Sequence, residues 1–295
     1  MQIIGAGLAG LIAANVFPQA RIIEQQGRNK IEHKALLRFR SKVVADLTGI
    51  EFKKVKVHKG IWHIDRFVEP SIQLANLYSK KVIGRLADRS IWNLETVERY
   101  IAPEDFITQL IENAGNRISW NTSLETTHIA EPTISTIPMP VLAGIIQIKN
   151  CSAGISFDYS PIVVSRYRII GADVYQTIYF TDPENGAYRA SITGDLLIVE
   201  GIRVPLMNQI LEAFALNDND IVELDYIVQN FGKIAPIDDT WRKNFILQAS
   251  MQRNIYSVGR FATWRNILLD DVVQDLNIVK RLIKTGHLYN NALGV

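Results

Sequence analysis

A mixed α/β fold is predicted for this 295-residue chain by three observations. A short apolar strand, a glycine-rich turn and an apolar helix follow one another from Met1 to Phe17. Runs rich in β-branched and aromatic residues, broken by a turn, fill 160–201, and an amphipathic helix occupies the C-terminal stretch. Together they predict a Rossmann-like dinucleotide-binding unit accompanied by a mainly antiparallel β unit.

The composition suits that fold. Hydrophobic residues make up 47% and charged residues 21%, which excludes long disorder, collagen-like repeats and coiled coil. Lys plus Arg number 32 against 30 Asp plus Glu, a net charge of +2, so bulk charge does not mark a dedicated nucleic-acid binder and any polyanion site must be local. Cys151 is the single cysteine; it forms no intrachain disulfide, supplies no zinc ribbon, iron–sulfur cluster or CxxC pair, and fits a reducing cytoplasm. No apolar run approaches the roughly 18 to 20 residues of a membrane span, and the N-terminus lacks a basic leader, so neither insertion nor export is expected. The five histidines are scattered and no HExxH or GxSxG occurs, so no metal site and no nucleophile-elbow hydrolase is expected.

Gln2-Ile3-Ile4 reads as a buried strand, Gly5-Ala6-Gly7-Leu8-Ala9-Gly10 as the turn, and Leu11 to Phe17 as the helix, ended by Pro18. Arg21-Ile22-Ile23-Glu24 is a second strand ending in a carboxylate nineteen positions after Gly5. Gly5 makes the tight turn, Gly7 admits a pyrophosphate to the backbone, and Gly10 lets helix and strand pack closely. The helix N-terminus faces the anion and Glu24 accepts from an adenosine ribose. A carboxylate at Glu24 disfavours a ribose phosphate and therefore NADP; FAD and NAD remain.

Further elements follow from local signals. Pro103 to Gly115 has proline and acids at its start, helical spacing of apolar residues and a closing glycine, the pattern of a capped helix. Ile162–Tyr167 and Asp173–Phe180 are strands, and Asp182-Pro183-Glu184-Asn185-Gly186 is a hairpin loop. After Pro205, Leu206, Ile210, Leu211, Phe214 and Ala215 recur with helical period before a strand over 221–228. The C-terminal helix places Val272, Val273, Leu276, Val279, Leu282 and Ile283 on its buried face. Lys280, Arg281 and Lys284 are expected at its dipole-negative end, with Gly286 terminating it.

Two segments decide between the cofactors. The motif GAGLAG with its acid and the following Gln25-Gln26-Gly27-Arg28, taken with Ile255-Tyr256-Ser257-Val258-Gly259-Arg260-Phe261-Ala262-Thr263-Trp264 and Leu268 to Asp275, resembles the flavoprotein group containing amine oxidases, phytoene desaturases and UDP-galactopyranose mutases. Thr133 to Pro138 resembles that group's strand returning to the FAD domain, and Ile118 to Leu124 its adenine-side strand. The resemblance implies FAD as cofactor. It assigns Gly5, Gly7, Leu8 and Gly10 to the pyrophosphate turn, Glu24 and Gln25 to the ribose, Arg28 and Arg38 to the phosphate region, and Gly259 and Arg260 to the pyrophosphate or ribityl chain. The amides of Asp271 and Val272, opening the last helix, would face the flavin pyrimidine edge. The chain departs from larger members in having only Gly27-Arg28 where many carry two glycines before the arginine, and it is short, so its substrate unit is reduced. The organisation that the resemblance implies is a discontinuous FAD domain of 1–45, 100–140 and 245–295, with an inserted, mainly antiparallel β substrate domain of 46–99 and 141–244.

Phe52 to Trp62 alternates strongly, so a strand there points Lys54, Lys56 and His58 to one face and Val55 and Val57 to the other. Such lysines either protect an edge strand or meet a phosphate-bearing substrate. Arg38 and Arg40 share one side of an extended segment, with Phe39 opposite. The pair ALLRFRS and KKVKVHKGIW resembles short flavoproteins encoded by bacteriophages, some of which occur in pathways that hypermodify thymidine in DNA. That resemblance implies an oxidoreductase or oxidative lyase acting at an amine C–N bond of an amino-acid adduct on thymidine, in the host cytoplasm, with modified DNA or a nucleotide as partner. Arg40, Lys54, Lys56, His58 and Trp62 are the candidate substrate contacts, with Trp92, Tyr167 and Tyr175 as further stacking candidates, and Lys233 is the candidate catalytic side chain. Two other readings stay open: a mutase-like flavoenzyme on a nucleotide sugar, and a non-catalytic FAD-binding module.

Overall fold

The computed structural model describes residues 1–88, 91–123, 131–146, 148 and 154–293, with side chains to Thr285; Leu124 and Cys151 lie outside the described residues. In chain order the elements are β1 (Gln2–Ile4), α1 (Leu8–Val16), β2 (Arg21–Ile23), β3 (Arg38–Phe39), α2 (Val43–Thr48), β4 (Lys53–Trp62), α3 (Ile72–Ile83), β5 (Val97–Ile101), α4 (Phe106–Ala114), β6 (Ile118–Ser119) and β7 (Thr133–Ser135). There follow α5 (Met139–Ile145), β8 (Tyr159–Ile169), β9 (Val174–Phe180), β10 (Ala187–Gly194), β11 (Leu196–Gly201), α6 (Met207–Ala213), β12 (Ile221–Ile234), α7 (Asp239–Arg253), β13 (Ile255–Ser257) and α8 (Leu269–Leu293).

The fold is mixed α/β with two sheets. One is five-stranded and parallel, in the order β13-β7-β1-β2-β6. Its strands are short and apolar because both faces are covered. Ile3, Ile22, Ile118 and Ile134 pack with α1, α4 and α8, whereas Ile255 packs with Met139 and Leu142 of α5 and Phe245 and Ala249 of α7. Helix α1 is sandwiched between this sheet and α2, α4 and α8, which explains why Leu11, Ile12, Ala13 and Ala14 are all buried.

The other sheet is eight-stranded, in the order β12-β8-β11-β10-β9-β4-β5-β3. Only β4 and β9 pair in parallel; the rest of the ladder is antiparallel. It is built from two excursions of the chain, one between β2 and β6 and one between β7 and β13. The α3 side chains Leu74, Tyr78 and Val82 cover one face with Ile61, Val164 and Ile198, here termed the inner face; α6 covers the outer face with Phe180, Ile192 and Val199.

Several expectations are corrected. Strand β4 pairs with β5 over Lys53–Val57 and with β9 over His58–Trp62, so each half is paired with one strand only; in the lysine-bearing half Lys53 and Lys54 pair with Asp173 and Glu98. The adenine-side strand ends at Ser119, since Asn121 turns into the left-handed region at φ 53°. Helix α4 begins at Phe106, with Pro103 to Asp105 forming the turn before it. Helix α8 runs through Gly286 to Leu293, so Lys280, Arg281 and Lys284 are not in its last turn; Leu282 is 53% exposed, while Ile283 beside it packs against the core.

Candidate functional site

The C-terminal ends of the parallel strands converge on one place. β1 has β2 on one side and β7 on the other, so the chain leaves it in opposite directions, and a crevice opens at such a switch point. Gly5 follows β1 with φ +96°, a conformation that disfavours any side chain. A Cβ on Gly10 would stand 1.9 Å from the Gly5 carbonyl oxygen, so only glycine lets α1 pack this close to the turn. Gly7 is the N-cap of α1 and has nothing within 4 Å of where a Cβ would be. The first bond of the helix runs from Leu11 N to Gly7 O, so the amides of Leu8, Ala9 and Gly10 point out of its end. Gly259, after β13, lies against Ala9 of α1.

Glu24 ties this cradle together. It is buried, accepting from Ala6 N at 2.6 Å through Oε2 and from Gln26 N at 2.8 Å through Oε1. Gln25 is exposed beside it. Arg28 is exposed on a short 3₁₀ turn and lines a cleft of about 320 Å³ with Asn29, Ile31, Ile107, Thr108 and Ile111. Thr136, next to the cradle, donates from Oγ1 to Ile4 O at 2.8 Å.

From Gly259 a chain of contacts leads to the inner face of the eight-stranded sheet. Arg260 donates from Nη2 to Gly232 O at 3.1 Å. The neighbouring Lys233 places its ammonium 4.0 Å from the centre of the Tyr188 ring. Tyr188 donates to Glu200 at 3.3 Å, and Glu200 takes both Nε and Nη2 of Arg189. Lys233 therefore faces a buried polar cluster, although its strand pattern alone suggested a surface position.

This cluster is strongly perturbed. Burial, assisted by the Glu200 charge, drives the Tyr188 hydroxyl well above the usual phenol range. Burial opposes the charge on Arg189, but Glu200 and the surrounding tyrosines outweigh it and hold the guanidinium above its ordinary value. His33, enclosed nearby, is pushed down by burial against the opposing pull of Glu200. Arg38 lies in the same region: burial, with Arg189 and Arg99 close by, pushes it down to about 9, so it is charged at neutral pH.

Arg38 itself departs from expectation. It reaches into the eight-stranded sheet, donating to Thr177 Oγ1 at 2.7 Å, Thr193 Oγ1 at 2.8 Å, Gln176 O at 3.1 Å and Ile192 O at 2.5 Å, so it is committed away from the glycine cradle. Arg40 is not free for substrate, because it pairs with Asp271. Lys54, Lys56 and His58 share the outer-face parity of β4, opposite Lys59 and Ile61; Lys54 pairs with Glu98 at 2.7 Å, and His58 contacts Thr96 at 3.1 Å. Trp62 is 6% exposed and packs edge-on against Phe67 in the outer core, so it offers no stacking platform. The Asp271 and Val272 amides both bond to Leu268 O, within the turn that opens α8. Asp270 beside them is spent on Arg40 N, Ser41 N and Ser41 Oγ.

The pattern missed Arg189, Glu200, Tyr188 and His33. A signal for the first two existed: Arg189 and Glu200 interrupt the apolar runs of β10 and β11 at positions the strand period would bury. Among the described residues no three His, Cys, Asp or Glu side chains converge as metal ligands, and no helix is long and apolar enough to cross a membrane.

The architecture matches that of flavoenzymes. A reduced UDP-galactopyranose mutase superposes with a TM-score of 0.68 at 14% identity, over 96% of this chain and 95% of that one. Putrescine oxidase superposes at 0.55 and 10% identity, over 96% and 98%. A protein described as an FAD-containing monooxygenase of Photorhabdus luminescens subsp. laumondii superposes at 0.51 and 10% identity, over 97% and 88%. No family model matches the chain, and no curated protein is similar to it in sequence. At these identities the likeness establishes the fold: a two-sheet, Rossmann-type architecture shared with flavin-dependent enzymes.

Proposed function

We propose that this chain is an FAD-dependent oxidoreductase whose substrate is held between the glycine cradle and the inner face of the eight-stranded sheet. One observation carries the reading: the unbroken run of contacts from Gly259 and Arg260 through Gly232 and Lys233 to Tyr188, Glu200 and Arg189. It joins a dinucleotide cradle to a buried set of titratable groups, the combination that marks a catalytic cleft.

The residues fit FAD. Gly5, Gly7, Leu8 and Gly10 form a backbone cradle with open space over Gly7, suited to a pyrophosphate. Glu24, already accepting two amide protons, lies at the end of β2 where an adenosine ribose would be held. Ser135 and Ser257, adjacent at the C-terminal ends of β7 and β13, bury hydroxyls that have no hydrogen-bond partner among the described residues, polar atoms of the kind a bound ligand satisfies. When bound, the flavin supplies hydride-accepting chemistry. Glu200 holds Arg189 and Tyr188 in place, and Lys233, beside the Tyr188 ring, is positioned to hold or move a proton.

The finer reading is oxidation at an amine C–N bond, with an amino-acid-modified thymidine in phage DNA as substrate. It is supported by the resemblance of the ALLRFRS and KKVKVHKGIW segments, and the likeness to putrescine oxidase extends over 98% of that protein. A second reading, mutase-like action on a nucleotide sugar, is favoured by the 0.68 superposition and by the cationic inner face.

The purified chain is expected to carry a flavin absorption spectrum. Anaerobic addition of DNA bearing amino-acid-modified thymidine should bleach it while the adduct disappears from digested nucleosides. No response to that DNA, with isomerisation of a UDP-sugar by the reduced protein, would replace the amine reading by the mutase reading. Failure to take up flavin on reconstitution would end both.

A further inference from the structure

We infer that the inner face of the eight-stranded sheet holds an anionic group of the substrate, a carboxylate or a phosphate, between Arg38 and Arg189. The inference rests on the reading of this region as the substrate site.

Strand register places the residues together. Arg189 stands opposite Tyr179, Ser191 opposite Thr177, and Thr193 opposite Tyr175, so their side chains share one face; Glu200 flanks Arg189 from β11. Thr177 and Ser191 bond to each other at 2.9 Å. Arg38 enters across this ladder from β3, and every acceptor it meets is neutral: two threonine hydroxyls and two carbonyls. Glu200 is the carboxylate within reach, and Arg189 and Tyr188 already occupy it.

The charge balance is therefore positive. Arg189 and Arg99 both repel the charge on Arg38, and Lys233 adds a further cation beside Tyr188. An enclosed guanidinium without a counterion is destabilising, and an anion bound against it relieves that penalty. Free donors exist to bind one. Glu200 grips Arg189 through Nε and Nη2, which leaves its Nη1 group without an acceptor among the described residues, and Arg189 keeps 27% of its side-chain surface accessible although protein surrounds it. Arg38 retains one uncommitted Nη1 N–H. Two planar forks on one polar face suit carboxylate or phosphate oxygens, which guanidinium groups bind in paired bonds.

The test titrates inorganic phosphate and, separately, acetate into the protein as purified and after flavin removal, following thermal melting, with chloride at matched ionic strength as reference. A saturable rise in Tm above the chloride reference is expected. Arg189→Lys keeps the charge and loses the fork, and should raise the half-saturating concentration about tenfold, the weight of one charge-assisted bond; Arg38→Lys should act likewise. Response to phosphate alone assigns a phosphoryl group, and response to acetate assigns a carboxylate. No saturable rise above chloride overturns the inference, and so does a rise that Arg189→Lys leaves unchanged, since that ion sits in the glycine cradle or elsewhere. Should Arg38→Lys fail to fold, the wild-type and Arg189→Lys titrations decide. Anion binding by a protein that takes up no flavin would leave this site standing and remove the flavin reading.

Discussion

At the scale of single residues, the cradle depends on Gly10. A Cβ there would lie 1.9 Å from Gly5 O and 3.4 Å from Thr136 Oγ1, and the Gly5 carbonyl cannot move without parting α1 from β1. Gly10→Ala is expected to cost about 1 to 3 kcal/mol, the range of overpacking in a tight core, and to lower flavin occupancy several-fold. A flavin-to-protein absorbance ratio with a urea melt measures both; unchanged values in each would mean that the helix and the turn do not approach this closely. This cradle was legible in the sequence because strand, turn, helix and acid fall within consecutive residues, so local spacing alone encodes it. Arg38, Arg189 and Glu200 were not legible as a group, since each is one alternate position on a different strand and only the long-range register brings them together. The partners of Arg38 were hidden for the same reason: nothing near it in the chain announces Thr177 and Thr193.

At the scale of elements, the alternation of β4 was readable but its neighbours were not, because both pairing strands are distant in the chain. Its lysine-bearing half bonds to β5 alone, and Lys53 and Lys54 pair with Asp173 and Glu98. A different lysine fixes an element. Lys81, on α3, donates to Phe180 O at 2.9 Å and Asp182 O at 2.8 Å, tying the helix to the end of β9 and the hairpin loop. Burial pushes its amine down to about 7, with Asp182 opposing and Arg203 assisting. A neutral amine still has two N–H groups for the two carbonyls. The unfolded chain binds the proton up to about pH 10.5 and the folded chain only to about 7, so stability rises with pH across that window and is lowest below it. The gain from pH 6 to 8 is about 1 kcal/mol. Urea melts at the two pH values should show it in the native chain and not in Lys81→Met; an equal gain in both would assign the dependence to other groups, His33 among them.

At the scale of the whole molecule, the five-stranded sheet is assembled from the beginning, the middle and the end of the chain, with the eight-stranded sheet built from what lies between. Composition and periodicity could not give this, since neither reports which distant strands pair. The consequence is that the C-terminal segment is part of the core. β13 forms the sheet edge next to β7, and beyond it Val258, Val272, Val273, Leu276 and Val279 are all buried in the core around α1. At roughly 1.5 to 3 kcal/mol for each buried side chain, these five contribute about 10 kcal/mol as an upper estimate, comparable with the entire stability of an ordinary domain, about 5 to 15 kcal/mol. A chain ending at Asn254 should therefore lose its cooperative thermal transition and its near-ultraviolet circular dichroism together, and should bind no flavin. A truncated chain that still melted cooperatively within a few degrees of the full one would mean that α1 is held by β1, β2 and α4 alone, and that the C-terminal strand and helix are an attachment to a core already complete.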